Sequence, residues 1–405
     1  MDNAAIIAGF SSCLPFAGNR FQLIENLKRG KRVETKPWFT SEHEAIKCGF
    51  KGNKYFATLN DSDDSASDLL YCLIDEAFDQ AGLDVKCLAG SNVRVYFSGL
   101  GPRVDGIAYN DFYNKNDVED IYLSKSLTQL HVSNMSQDRL SGDIARQYHL
   151  KYLPPNINGT SNSSLTAIHL GCQAIEHQGI DLVLVINISR IKTQDIWFLN
   201  TQSMLETERV QPFGENSKGV LFAEGFSVLL LESGRHRQAR QVAGGIHLQT
   251  SYTQISAGRS NDSSWLSTSI LKVMRSVMKI ADVSVEELCA IIPHGNGSSI
   301  SDKAEAKAIA VFAEDNIVPV LAYKGQMGYT ATGSGIIDLI IGHHTLTHHE
   351  IISSVSNDDI IDVIAPHLFI DRDVTRHNKR HLLKTGVGVD GSVIGVVMSD
   401  ICSGR

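Results

Sequence analysis

Gly159-Thr160-Ser161-Asn162-Ser163-Ser164-Leu165 leads into an apolar-periodic run that continues to His177, and a dense apolar stretch fills residues 181–188. Small hydroxyl and amide side chains ahead of a 3.6-residue apolar period mark a helix start, because such side chains satisfy the free N–H groups of a first turn. The β-branched run that follows is the pattern of a strand buried on both faces. The same alternation extends in both directions. Strands are expected over 4–9, 93–97, 220–231 (as a pair), near Val242, and over 290–292, 318–323 and 392–398. Helices are expected over 66–81, 165–177, 265–280 and 302–313. An α/β protein with helix-covered sheets follows.

The 405 residues carry a net charge of −8, with 42% hydrophobic and 20% charged residues. That balance speaks against nucleic acid as a partner, since a nucleic-acid binder presents a basic face. The basic cluster 376–384 reads as a solvated loop. No run reaches the ~18–20 apolar residues of a membrane span, and the start lacks a secretory signal. Seven cysteines without a CxxC pair suggest neither zinc nor a disulfide framework, and a cytoplasmic setting is expected. The Leu230–Gln241 stretch divides the chain into halves at 1–235 and 236–405, with residues of about 100–140 as an insertion.

Four further segments carry chemistry. Pro293-His294-Gly295-Asn296-Gly297-Ser298 is followed by Asp302 and Glu305. Lys324-Gly325-Gln326-Met327-Gly328-Tyr329-Thr330 leads into Gly333-Ser334-Gly335 and an apolar helix. Gly386-Val387-Gly388-Val389-Asp390-Gly391-Ser392 lies near the end, and Gln211-Pro212-Phe213 precedes Gly219 and Glu224-Gly225. His343-His344 and His348-His349 near the end of that apolar helix suit its dipole better than a metal. Cys172 reads as core, and Trp197 and Phe198 as channel or dimer residues.

Together these segments resemble the β-ketoacyl synthases, in family order over nearly the whole chain. The 159–165 segment is similar to their D-T-A-C-S-S-S-L elbow, with Ser161 where the condensing cysteine stands. The His294 segment resembles H-G-T-G-T, and the Lys324 segment K-S-N-I-G-H-T-E-G-A-A-G, with Tyr329 replacing the second histidine. The Gly386 segment resembles G-F-G-G-T-N-A, with Val387 replacing the gating phenylalanine. The resemblance implies a thiolase fold, a five-layered αβαβα sandwich of two similar halves, dimerising through a strand near 182–188. It implies His294 and Tyr329 as hydrogen-bond donors to a thioester oxygen, and the backbone N–H groups of Ser161 and Val387 as an oxyanion hole. Lys324 is implied to pair with Glu305, and Gly386 and Gly388 to let the backbone approach the acyl group.

A helix N-terminus lowers a thiol's pKa, but a serine there stays protonated. The activity this implies is decarboxylation of malonyl-acyl carrier protein to acetyl-acyl carrier protein, of the kind used in polyketide β-branching. The substrate would arrive on the phosphopantetheine of an acyl carrier protein, with no cofactor or metal of the protein's own. Two alternatives stand beside it: a non-catalytic chain-length-factor partner of an intact ketosynthase, hence a heterodimer rather than a homodimer, and an acyltransferase using Ser161 as nucleophile.

Overall fold

The computed structural model describes residues 2–59, 66–107, 137–205, 210–254, 263–356 and 358–401. Most of the expected insertion lies outside the described residues. In the first half, β1 (Ala5–Cys13) is followed by α1 (Ala66–Ala81), β2 (Val93–Leu100), α2 (Gln137–Gln147) and β3 (Asn156–Ile157). Then come α3 (Ser163–Gln178), β4 (Leu182–Ser189) and β5 (Gly225–Ser233). In the second, β6 (Ile246–Gln254), α4 (Ser263–Ala281), β7 (Leu288–Ile292), α5 (Ser299–Ala313), α6 (Ser334–His348), β8 (His381–Val387) and β9 (Ser392–Asp400) repeat the scheme.

The nine strands form one sheet in the order β3-β2-β4-β5-β1-β6-β9-β8-β7. Read outward from the β1–β6 seam, each half places its first strand, then its fifth, fourth and second. The third place is β3 in one half and, in the other, the segment around Val320, which bridges to Ile291. The halves are therefore two copies of one topology, joined where β1 runs antiparallel to β6.

Strand alternation explains the layers. Leu182, Leu184, Ile186 and Ile188 of β4 pack under α1 and α2. Val183 and Val185 face the opposite way, into the cluster shared with α3 and α6. Likewise Val393 and Val397 of β9 pack toward α4 and α5, while Ile394 and Val396 face the central helices. Two outer helical layers, two sheet regions and a central layer of α3 and α6 make the five-layered αβαβα thiolase fold, because side chains on a strand alternate between faces.

Several expectations need correction. Residues 318–323 are no continuous strand. Pro319 has no N–H, and pairing runs only through bridges of Val320 to Ile291 and Leu368. The pair expected over 220–231 is a single strand beginning at Gly225, and the strand expected near Val242 begins at Ile246. The solvated loop expected over 376–384 enters β8, and Lys384 is only 1% exposed. The strand 182–188 cannot mediate pairing, since β2 and β5 already occupy both of its edges. Among the described residues, the free edge on that side is β3.

Candidate active site

The C-terminal end of β7 delivers His294, and the following helix turns back to hold it. Asp302 and Glu305, three residues apart on α5, share one face. Glu305 accepts the N–H groups of His294 and Gly295, both at 2.8 Å, and the Thr385 hydroxyl at 2.5 Å. Asp302 accepts those of Asn296 (3.1 Å), Gly297 (3.0 Å) and Phe213 (2.7 Å). Buried N–H groups need acceptors, so these carboxylates set the path of the loop. Burial, with Glu305 nearby, pushes the Asp302 carboxyl up to about 7 despite those bonds.

Lys324 does not pair with Glu305. Its Nζ donates to the His294 carbonyl at 2.6 Å and to Asp338 at 2.9 Å. Lys384 reaches the same carboxylate at 2.7 Å and donates to the Pro293 carbonyl at 3.0 Å. Glu305 is already engaged by backbone N–H groups, which is the physical reason the expected pair does not form. Burial pushes the Lys384 ammonium down to about 8. Asp338, Lys384 and Asn296 were not singled out in the sequence. The signal for Asp338 is a lone acid inside the apolar helix that begins at Ser334.

Burial, reinforced by the charges of Lys324 and Lys384, holds the His294 imidazole well below its ordinary pKa, so the ring is neutral. Its Nε2 lies 3.1 Å from Asn296 Nδ2. The Tyr329 ring meets it edge to face, with centroids 5.7 Å apart at 89°. Burial raises the Tyr329 hydroxyl to about 12, offset partly by the facing side chains of Ser161 and Asn296. Neither makes a well-formed hydrogen bond to it, and the hydroxyl has no other partner among the described residues.

Ser161 lies in a single 3-10 turn, Thr160–Asn162, directly ahead of α3. The turn is entered through Thr160 at φ 47°, a strained value for a β-branched residue. Gly386 serves this turn, while Gly388 lies on the cavity wall. A Cβ at 386 would fall 2.4 Å from Leu165 and 2.5 Å from Asn162, and one at 388 would fall 2.3 Å from Asp390 and 2.4 Å from Ser392. Gly388 donates to the Ser392 carbonyl in the β8–β9 ladder. Alternation along that antiparallel pair turns the N–H of Val387 away from β9.

Ser161, His294, Asn296, Tyr329 and Val387 all line one cavity of about 400 Å³, whose apolar wall includes Phe198, Met204 and Phe222. Asp302, Glu305, Lys324 and Gly386 stand behind it. Trp197 is anchored instead to the Cys48 carbonyl at 3.0 Å, and Cys172 is fully buried. Among the described residues, no group of three or more His, Cys, Asp or Glu is placed to hold a metal, and no helix is long and apolar enough to cross a membrane.

Known proteins match this architecture. The N-terminal domain model of β-ketoacyl synthases matches residues 5–237, and the C-terminal domain model matches 253–357. The chain is 24% identical over 303 residues to mycoketide-CoA synthase of Mycobacterium tuberculosis, covering 72% of this chain but 7% of that protein. It is 22% identical over 380 residues to probable polyketide synthase 17 of Dictyostelium discoideum, covering 84% of this chain and 14% of the relative. The chain thus spans a small fraction of these curated relatives. Among solved structures, a type II polyketide acyl-carrier protein in complex with its ketosynthase superposes with a TM-score of 0.83 at 15% identity, covering 98% of this chain and 99% of the other. The ishigamide ketosynthase/chain length factor gives 0.76 at 17% identity, covering 98% and 99%. Matched by both domain models, the chain belongs to the β-ketoacyl synthase family.

Proposed function

We propose that this protein decarboxylates malonyl-acyl carrier protein to acetyl-acyl carrier protein in polyketide assembly, serving β-branching. One observation carries the reading. Ser161 and His294 face a single cavity that, among the described residues, is lined by hydrogen-bond donors and no thiol. In decarboxylation the C–C bond to the carboxylate breaks, carbon dioxide leaves, and its electron pair becomes an enolate with charge on the thioester oxygen. Donors aimed at that oxygen lower the barrier. The Tyr329 hydroxyl and the backbone N–H groups of Ser161 and Val387 are the groups available, with His294 and Asn296 on the same cavity wall. With no acylated cysteine to attack, the enolate carbon takes a proton from water and becomes acetyl.

The apolar wall favours loss of a charged carboxylate as neutral carbon dioxide. Ser161 remains an unacylated hydroxyl, because His294 Nε2 faces Asn296 rather than Ser161 and supplies it with no base. That contact disfavours the acyltransferase alternative. The carrier-protein complex among the similar structures supports delivery on phosphopantetheine. A homodimer would use the free edge at β3.

The test is to incubate the purified protein with malonyl-loaded carrier protein and follow the thioester by mass spectrometry. Acetyl-loaded carrier is the expected product. Persistent malonyl, with co-purification of an intact ketosynthase, would replace this reading with that of a non-catalytic partner.

A further inference from the structure

We infer that Asn296 is a positioning residue that makes His294 Nε2 a hydrogen-bond acceptor and keeps the ring proton on Nδ1, so that the Tyr329 hydroxyl, rather than Nε2, is the side-chain donor for a thioester oxygen. This rests on the reading above and assigns roles within the same cavity.

The argument begins with the amide. Asn296 Oδ1 accepts the backbone N–H of Ser298 at 3.0 Å and the Ser301 hydroxyl at 3.3 Å. A backbone N–H only donates, so the atom facing it must be the amide oxygen, which fixes the orientation of the side chain. The atom 3.1 Å from His294 Nε2 is then the amide nitrogen, which also only donates. Nε2 must therefore accept, and a neutral ring with an accepting Nε2 carries its proton on Nδ1. The ring is kept neutral by its burial and by the two lysine ammonium groups behind it.

The amide itself cannot drift. The Asn296 N–H is held by Asp302 at 3.1 Å, and the residue is 3% exposed. Beside this locked pair stands the buried hydroxyl of Tyr329, on the cavity wall and without a well-formed partner among the described residues. A buried hydroxyl left unsatisfied destabilises the site. A thioester oxygen entering the cavity would satisfy it, and the interaction would strengthen as that oxygen gains charge.

The test has two arms. In full-length protein labelled with 15N-histidine, the His294 ring is assigned by its loss in His294→Gln, and its tautomer is read from long-range 1H–15N correlations. The Nδ1–H form is expected in the unaltered protein. Asn296→Asp, whose carboxylate only accepts, should switch the ring to a form protonated on Nε2. Asn296→Thr, which has no amide, should give mixed tautomers if the aspartate variant does not fold. An Nε2–H ring in the unaltered protein, or one indifferent to both substitutions, overturns the inference. In the second arm, calorimetry with acetyl-pantetheine should show binding weakened about tenfold by Tyr329→Phe, and unchanged binding refutes Tyr329 as the donor. Failure of the unaltered protein to bind acetyl-pantetheine overturns donor and function together. Binding without turnover of malonyl carrier sinks only the decarboxylase reading.

Discussion

The two halves enter their central helices through the same backbone device and use it differently. Thr160 and Ala331 have φ of 47° and 44°, each opens a 3-10 turn, and each turn runs directly into a helix, α3 or α6. In that match Ser161 corresponds to Thr332 and Ala167 to Asp338. Ser161 is only partly covered and faces His294 across the cavity. Thr332 is 3% exposed, and its hydroxyl accepts from Asn187 Nδ2 at 3.2 Å. Ala167 packs in the apolar core, whereas Asp338 gathers two lysines that grip the backbone of the His294 loop. One elbow presents a side chain to the cavity, and its counterpart anchors the His294 loop opposite. The backbone alone does not distinguish them, but burial and partners do.

The contrast breaks first at Asp338. Asp338→Ala strands two buried ammonium groups and should lower stability by about 3–5 kcal/mol in denaturant unfolding, while Ala167→Ser should cost far less. A thiol placed at each elbow comes next. Ser161→Cys should be alkylated at least tenfold faster than Thr332→Cys, as roughly a unit of thiol pKa at an open helix start requires. Equal rates would show that the two elbows are equally open. Asn187→Ala should cost about 1–3 kcal/mol, because it leaves the buried Thr332 and Ser98 hydroxyls without their amide partner. The remaining contrast is a slope with pH. Asp302 has its folded pKa raised from 3.8 to about 7, so between those values the folded state binds more protons than the unfolded one. Its contribution to stability is fully present below about pH 4 and is lost as pH rises toward 7. Unfolding measured against Asp302→Asn should show the native protein losing ground over that window, and an opposite slope would mean that the three N–H bonds outweigh burial.

Much of this was legible in the chain. The apolar run at 181–188, the small polar residues ahead of Leu165 and the glycines around His294 each report a local preference. Local preference survives folding when neighbours agree with it. The family resemblance likewise led to Ser161, His294 and Tyr329, which the fold brings to one cavity. What could not be read was partnership. Lys384 looks solvated in a basic cluster, yet β8 carries it into the interior, where Asp338 compensates its charge. Lys324 looked available to Glu305, but the carboxylate was already taken by two backbone N–H groups.

The sequence by itself determined the alternation of strands and helices, the family, and a hydroxyl rather than a thiol at position 161. These depend on residue type and on spacing along the chain. The tertiary structure alone decided which carboxylate holds which lysine, that β4 lies inside the sheet, and that the Asn296 amide faces His294. Those outcomes depend on distances between residues far apart in sequence, and a buried polar group is governed by whatever partner lies within about 3 Å of it.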